Sequence, residues 1–112
     1  MGISTHILDT TRGRPAKGVR VTLARLQGEQ FVELAAGETD ADGRLRTLVP
    51  DGTSPAPGTY RIHFDVGPWF AAANVDAFYP CVEITFFVNA ENEHYHVPLL
   101  LNPFGYSTYR GS

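Results

Sequence analysis

Four histidines, an arginine behind a tight turn and a cluster of hydroxyls near the end of the chain are the residues whose types could do chemistry. His94 and His96 stand two apart, so on one strand both side chains leave the same face. Such a His-x-His pair can supply two metal ligands. No acidic signature and no third histidine accompany it, and we expect no metal. His96 shares its face with Pro98 and Leu100. A partly buried histidine beside apolar neighbours is one whose ordinary pKa, about 6.5, can be moved to suit proton transfer near neutrality. A neutral, hydrogen-bonded structural histidine would read the same way. His6, in Ser4-Thr5-His6, is open between a surface residue and a functional one. His63, between Arg61 and Asp65 on a polar face, reads as a solvated surface histidine. Arg44 follows Asp42-Gly43 and, by itself, reads as a solvated strand start. Ser107, Thr108, Tyr109 and Ser112 supply the hydroxyls. There is no Gly-x-Ser-x-Gly elbow, and the one cysteine, Cys81, has no basic neighbour. Both absences speak against a covalent serine or cysteine mechanism, and Cys81 is expected to be a buried, inert thiol.

These residues need a scaffold, and 112 residues suffice for one domain spanning 1–112. Hydrophobic residues make up 43 % and charged residues 19 %, which excludes the composition of disorder. A net charge of −3 gives no footprint for nucleic acid or an anionic membrane. A lone cysteine rules out an internal disulfide and a thiolate zinc site. Apolar runs fall far short of the ~20 residues that cross a bilayer. The first residues lack the basic and apolar regions of a signal peptide, so the expected location is the cytoplasm.

Eleven glycines and eight prolines punctuate the chain at short intervals, as in short strands joined by turns. Strands are predicted over 4–8, 19–24, 31–35, 44–49, 60–66, 81–89, 94–101 and 106–110. The cleanest alternation has Tyr60, Ile62, Phe64 and Val66 on one face, with Arg61, His63 and Asp65 on the other. Gly43 suits a turn with positive φ. Pro50–Pro57 reads as a loop, and Ala90–Glu93 as a hairpin-like link. Pro68–Asn74 reads as a two-turn helix with proline at its first position. The result is an all-β, two-sheet, eight-stranded sandwich with one short helix. Two strands carry apolar residues on both faces: Val82, Ile84, Phe86 and Val88 against Phe87, and Val97, Leu99 and Leu101 against Pro98 and Leu100. The second face needs cover, which a partner subunit would supply.

From end to end the chain resembles the 5-hydroxyisourate hydrolases of the transthyretin-like family. The resemblance runs through Ser4-Thr5-His6-Ile7-Leu8-Asp9-Thr10, Pro15-Ala16-Lys17-Gly18-Val19-Arg20-Val21 and Thr39-Asp40-Ala41-Asp42-Gly43-Arg44. It continues in Phe78-Tyr79-Pro80 and Tyr95-His96-Val97-Pro98-Leu99-Leu100-Leu101. Its most specific part is Gly105-Tyr106-Ser107-Thr108-Tyr109-Arg110-Gly111-Ser112. It implies a transthyretin-like (prealbumin-like) sandwich and a homotetramer with sites in a channel between subunits. It also implies that His6, Arg44, His96 and the terminal tetrapeptide line that channel. In the family Pro98 would lie in an internal strand, where proline is disfavoured. It is therefore expected at a bulge, or where its missing N–H faces no ladder partner.

The implied reaction is hydrolysis of a purine-derived substrate, 5-hydroxyisourate, to 2-oxo-4-hydroxy-4-carboxy-5-ureidoimidazoline. A neutral imidazole of His6 or His96 would take a proton from water as it attacks, help typically worth ~10²–10⁴-fold. Arg44 would bind substrate carbonyls and stabilise the developing oxyanion. Tyr109 would wall the ring, and Ser112 would contribute its hydroxyl and α-carboxylate. No cofactor is needed. The rival expectation is a carrier of a small aromatic ligand in the same fold, without catalysis.

Overall fold

The computed structural model describes residues 2–46, 48–49, 55–89 and 93–111. Strands β1 (Gly2–Asp9), β2 (Arg14–Pro15), β5 (Arg44–Leu45), β8 (His94–Asn102) and β9 (Gly105–Thr108) form one sheet. Its order is β2-β1-β8-β9, and β5 shares the β2 edge of β1. Strands β4 (Gln30–Glu38), β3 (Arg20–Gln27), β6 (Gly58–Phe64) and β7 (Val82–Val88) form the second sheet in that order. A short helix, α1 (Val66–Ala72), follows β6.

Alternation along the central strands builds the core. Ile3 and Ile7 of β1 and Leu99 and Leu101 of β8 are buried in one cluster with Val21, Leu23, Ile62 and Phe64 of the other sheet. Full burial of such a side chain contributes roughly 1.5–3 kcal/mol. The period of two then sends Ser4, His6, Leu8, His96 and Leu100 to the opposite face of the first sheet, away from the core.

The structure differs from the sequence-based expectations at five places. Among the described residues there are nine strands, the added one being Arg14–Pro15, which pairs with Asp9 and Leu8. The strand predicted over 44–49 shortens to Arg44–Leu45, although Leu48 N–H still donates to the Ile3 carbonyl at 3.0 Å. The helix begins at Val66, making Pro68 its third residue. Proline is tolerated there because the first four N–H groups of a helix have no internal partner, and the earlier start places Val66 and Phe70 together on the buried side. The hairpin-like link does not join paired strands, since β7 and β8 belong to different sheets. Cys81 is half-buried and not fully enclosed. Residues 50–54 of the predicted loop and 90–92 of the link lie outside the described residues.

Pro98 sits in the middle of β8, opposite His6 across the parallel β1 ladder. On its other side the β8–β9 ladder stops at Leu99↔Thr108 and returns only as an isolated bridge, His96↔Gly111. Pro98 has no N–H to give this ladder. Its carbonyl instead accepts the Thr108 hydroxyl at 2.7 Å.

Candidate active site

Three strands bring the site together on the outward face of the first sheet. In β1, His6 is opposite Arg44 of β5 and Ser4 is opposite His96 of β8. The Arg44 position is fixed by the turn before it. The Asp40 carboxylate accepts the backbone N–H of Asp42 at 2.9 Å and of Arg44 at 3.0 Å. The Arg44 N–H bond, with that of Asp42 and the charges of Arg46 and Arg44 behind it, holds the Asp40 carboxyl below its usual pKa, against a smaller desolvation effect. Gly43 closes the turn at φ 73°, and its carbonyl accepts the Ile7 N–H at 2.7 Å. The turn is thereby fastened to β1 one residue beyond His6.

Ser4, Thr5, Arg44, Arg46, His94 and His96 line an open cleft of about 330 Å³. His6 is half-buried one strand step along from Ser4. The Ser4 Oγ lies 2.8 Å from Nε2 of His94 and 2.8 Å from Nδ1 of His96. Burial lowers the His96 pKa below the ordinary histidine value, and the charges of His6, Arg44 and His94 lower it further. A ring that stays neutral at neutral pH is one that can accept a proton there. Arg44 is exposed and offers its guanidinium donors to the cleft.

The predicted residues do not all meet in this cleft. Tyr109 is 60 % exposed and lines a second cleft, of about 250 Å³, with Phe86, Tyr95 and Val97. His96 borders both clefts. Ser112 lies outside the described residues. Its neighbour Gly111 is bound to His96 by an N–H to carbonyl hydrogen bond of 2.8 Å. Among the described residues no group of three or more His, Cys, Asp or Glu is arranged to hold a metal ion. No helix among them is long and apolar enough to cross a membrane.

Residues 3–111 match the profile of the HIUase/Transthyretin family. The chain belongs to that family. A 5-hydroxyisourate hydrolase of Caulobacter vibrioides is 47 % identical over 115 residues, spanning 99 % of this chain and 98 % of the relative. Among solved structures of the HIUase/Transthyretin family, the Klebsiella pneumoniae 5-hydroxyisourate hydrolase superposes with a TM-score of 0.87 at 39 % identity over the whole of both chains. Sea bream transthyretin, solved in complex with thyroxine, superposes with a TM-score of 0.91 at 29 % identity, covering 99 % of this chain and 95 % of that one.

Within this HIUase/Transthyretin member, Ser4 and Asp40 are the contacts that residue-by-residue reading passed over, while His94 was weighed there only as a metal ligand or rim residue and Gly111 only as part of the terminal motif. Ser4 carried a usable signal, since it lies two residues before His6 and must share its face. Asp40 carried another, as the first residue of an Asp-x-Asp-Gly turn whose side chain caps its own backbone. His94 and Gly111 gain meaning only from the register of β8 with β1 and with the chain end.

Proposed function

We propose that this protein is a 5-hydroxyisourate hydrolase, opening the six-membered ring of its substrate by histidine-assisted attack of water at an acyl carbon. Overall shape does not choose between enzyme and carrier, because the thyroxine-bound transthyretin superposes slightly better than the hydrolase does. The observation that carries the choice is His96, biased towards its neutral form on a face shared with His6 and Arg44. A ligand carrier has no use for a proton acceptor beside a guanidinium. The hydrolase relatives at 41 % to 47 % identity support the same choice.

In this reading neutral His96 takes the proton of the attacking water. Arg44 holds the substrate oxygens and stabilises the charge that grows on the carbonyl oxygen. His6 orients the ring or returns the proton to the departing ring nitrogen. Tyr109 and Ser112 complete the substrate site from the chain end. The chemistry asks for no metal or organic cofactor. The working form is a homotetramer, supported by the exposure of Phe87, Phe104, Tyr106 and Tyr109 on a chain this small. The cytoplasm is its expected place.

The test is ultraviolet monitoring of freshly oxidised urate. The protein should remove the 5-hydroxyisourate intermediate far faster than it decays alone. Decay at the spontaneous rate, with tight binding of an aromatic ligand, would favour the carrier.

A further inference from the structure

Ser4 stands between two imidazoles and bonds to both. Its Oγ is 2.8 Å from Nδ1 of His96 and 2.8 Å from Nε2 of His94. The three residues differ in their access to water: Ser4 is 6 % exposed, His96 is half-buried and His94 is exposed. We propose that Ser4 and His94 form a proton relay that connects His96 to bulk solvent during hydrolysis. The proposal rests on the hydrolase reading and adds two residues to it.

A hydroxyl owns one hydrogen, so it can donate to only one of the two rings and must accept from the other. Two arrangements use the Ser4 hydroxyl as donor to one ring and acceptor from the other, and these are the ones a relay needs. In the first, His96 Nδ1–H donates to Ser4 and the Ser4 hydrogen points to His94 Nε2. His96 Nε2 is then bare and able to take a proton from water. In the second, both bonds are reversed and His96 Nε2 carries a hydrogen. Passing from the first to the second balances as follows. Nε2 of His96 gains the proton of water, and its Nδ1 proton moves to Ser4 Oγ. The Ser4 proton moves to His94 Nε2, and the proton on His94 Nδ1 leaves to solvent. One proton enters at the cleft and one leaves at the rim, with no change on the serine. The reverse passage returns a proton to the departing ring nitrogen.

The guanidinium groups around His96 make this relay useful. Arg44 of β5 and Arg46 just beyond that strand line the same cleft as His96. An imidazolium held among these groups is costly, and handing its charge outward to exposed His94 relieves that cost. Ser4 also holds the ring from one side, while Gly111 abuts it from the other. Acting through His96, Ser4 and His94 are positioning and relay residues.

The experiment compares Ser4→Ala, Ser4→Thr, His94→Gln and the unchanged full chain. Ser4→Ala and His94→Gln should each lower kcat by about tenfold to a hundredfold, up to the lower end of what general acid–base assistance is typically worth, because His96 itself remains, while KM stays within about threefold. Ser4→Thr, which keeps the hydroxyl, should recover most of the loss. Added imidazole should partly restore His94→Gln and leave Ser4→Ala unchanged. A proton inventory in mixed light and heavy water should be bowed for the unchanged chain and linear for Ser4→Ala. Unaltered kcat in Ser4→Ala and His94→Gln would overturn the relay and leave the hydrolase reading standing. A loss confined to thermal stability, with an unchanged proton inventory, would also overturn it. An unchanged chain without turnover would remove the hydrolase reading and the relay with it.

Discussion

Gly111 lies so close to the ring of His96 that a β-carbon placed on it would come within 2.5 Å of the His96 Cδ2. The ring cannot retreat freely, because its Nδ1 is bonded to Ser4. The glycine cannot retreat freely either, because its N–H is bonded to the His96 carbonyl. Gly111→Ala must displace the ring or the chain end and so strain one of these two bonds. We expect turnover to fall at least tenfold, while the melting temperature changes little, since the chain end adds little to the core. Circular dichroism melts beside steady-state rates check this, and a fully active Gly111→Ala chain would sever the chain end from the site.

Arg44 should matter for the rate more than for the fold. It is exposed, and its backbone is fixed by Asp40 and not by its own guanidinium. Arg44→Gln should cost about 10²–10³-fold in kcat/KM, the usual loss for removing an oxyanion donor. Arg44→Lys should recover only part of it, because a point charge does not reproduce the planar fork.

The acid limb of the pH profile should report His96. Burial, with the charges of His6, Arg44 and His94 behind it, keeps its folded pKa below the ordinary value. If the neutral ring is the working form, kcat/KM falls as pH drops, with its inflexion below about 6.5. Arg44→Gln removes one of the charges holding the value down, so the residual activity should have its inflexion at higher pH. An inflexion that does not move would place the titrating group elsewhere.

A different histidine should govern part of the stability. His63 Nδ1 is 3.0 Å from Glu83 Oε2, and its Nε2 is 2.8 Å from Asp65 Oδ1. Burial opposes the charged ring, but the hydrogen bonds and charges of Glu83 and Asp65 outweigh it and raise the His63 pKa. With the folded pKa above the unfolded one, the contribution is complete below about 6.5 and is lost as pH rises through the folded value. Glu83, lowered by its bond to His63, contributes above the ordinary carboxylate value and loses this as pH falls through its folded value. All three side chains are about a third or more exposed, so solvent keeps the gain to about 1 kcal/mol or less. His63→Gln should therefore lower the melting temperature near pH 6 and leave it almost unchanged near pH 9.

Gly43 ties stability to the site. Its φ of 73° disfavours a side chain by roughly 1–2 kcal/mol. A β-carbon there would also come within 2.4 Å of the Ile7 carbonyl oxygen. Because that obstacle is backbone, Gly43→Ala should both destabilise the protein and shift Arg44 away from His6. Chemical denaturation and kcat/KM should fall together.

Much of the sandwich could be read from alternation, as Tyr60, Ile62 and Phe64 illustrate. Val66 could not: it continued the alternation of β6 by composition, yet the chain turns into a helix there, where it pairs with Phe70. His6, Arg44 and His96 came from resemblance, because no local pattern joins residues on three strands. The Ser4 bridge was invisible for the same reason. It depends on the parallel register of β1 with β8, which hydrophobic periodicity does not encode. Arg14–Pro15 was missed because two residues are too few to show a period.

The parallel pairing of β1 with β8 also sets a schedule. Ser4 and His96 are separated by 92 positions. On the ribosome β1 emerges first, and the edge that will receive β8 stays unpaired through most of synthesis. Loop closure over that span is slow, and an open strand edge invites pairing with other chains. The strand that carries His96 is thus also the one that covers the open edge of β1, so truncations that remove β8 should be seen as insoluble product, whereas changes beyond it, at Gly111, should be seen as lost turnover.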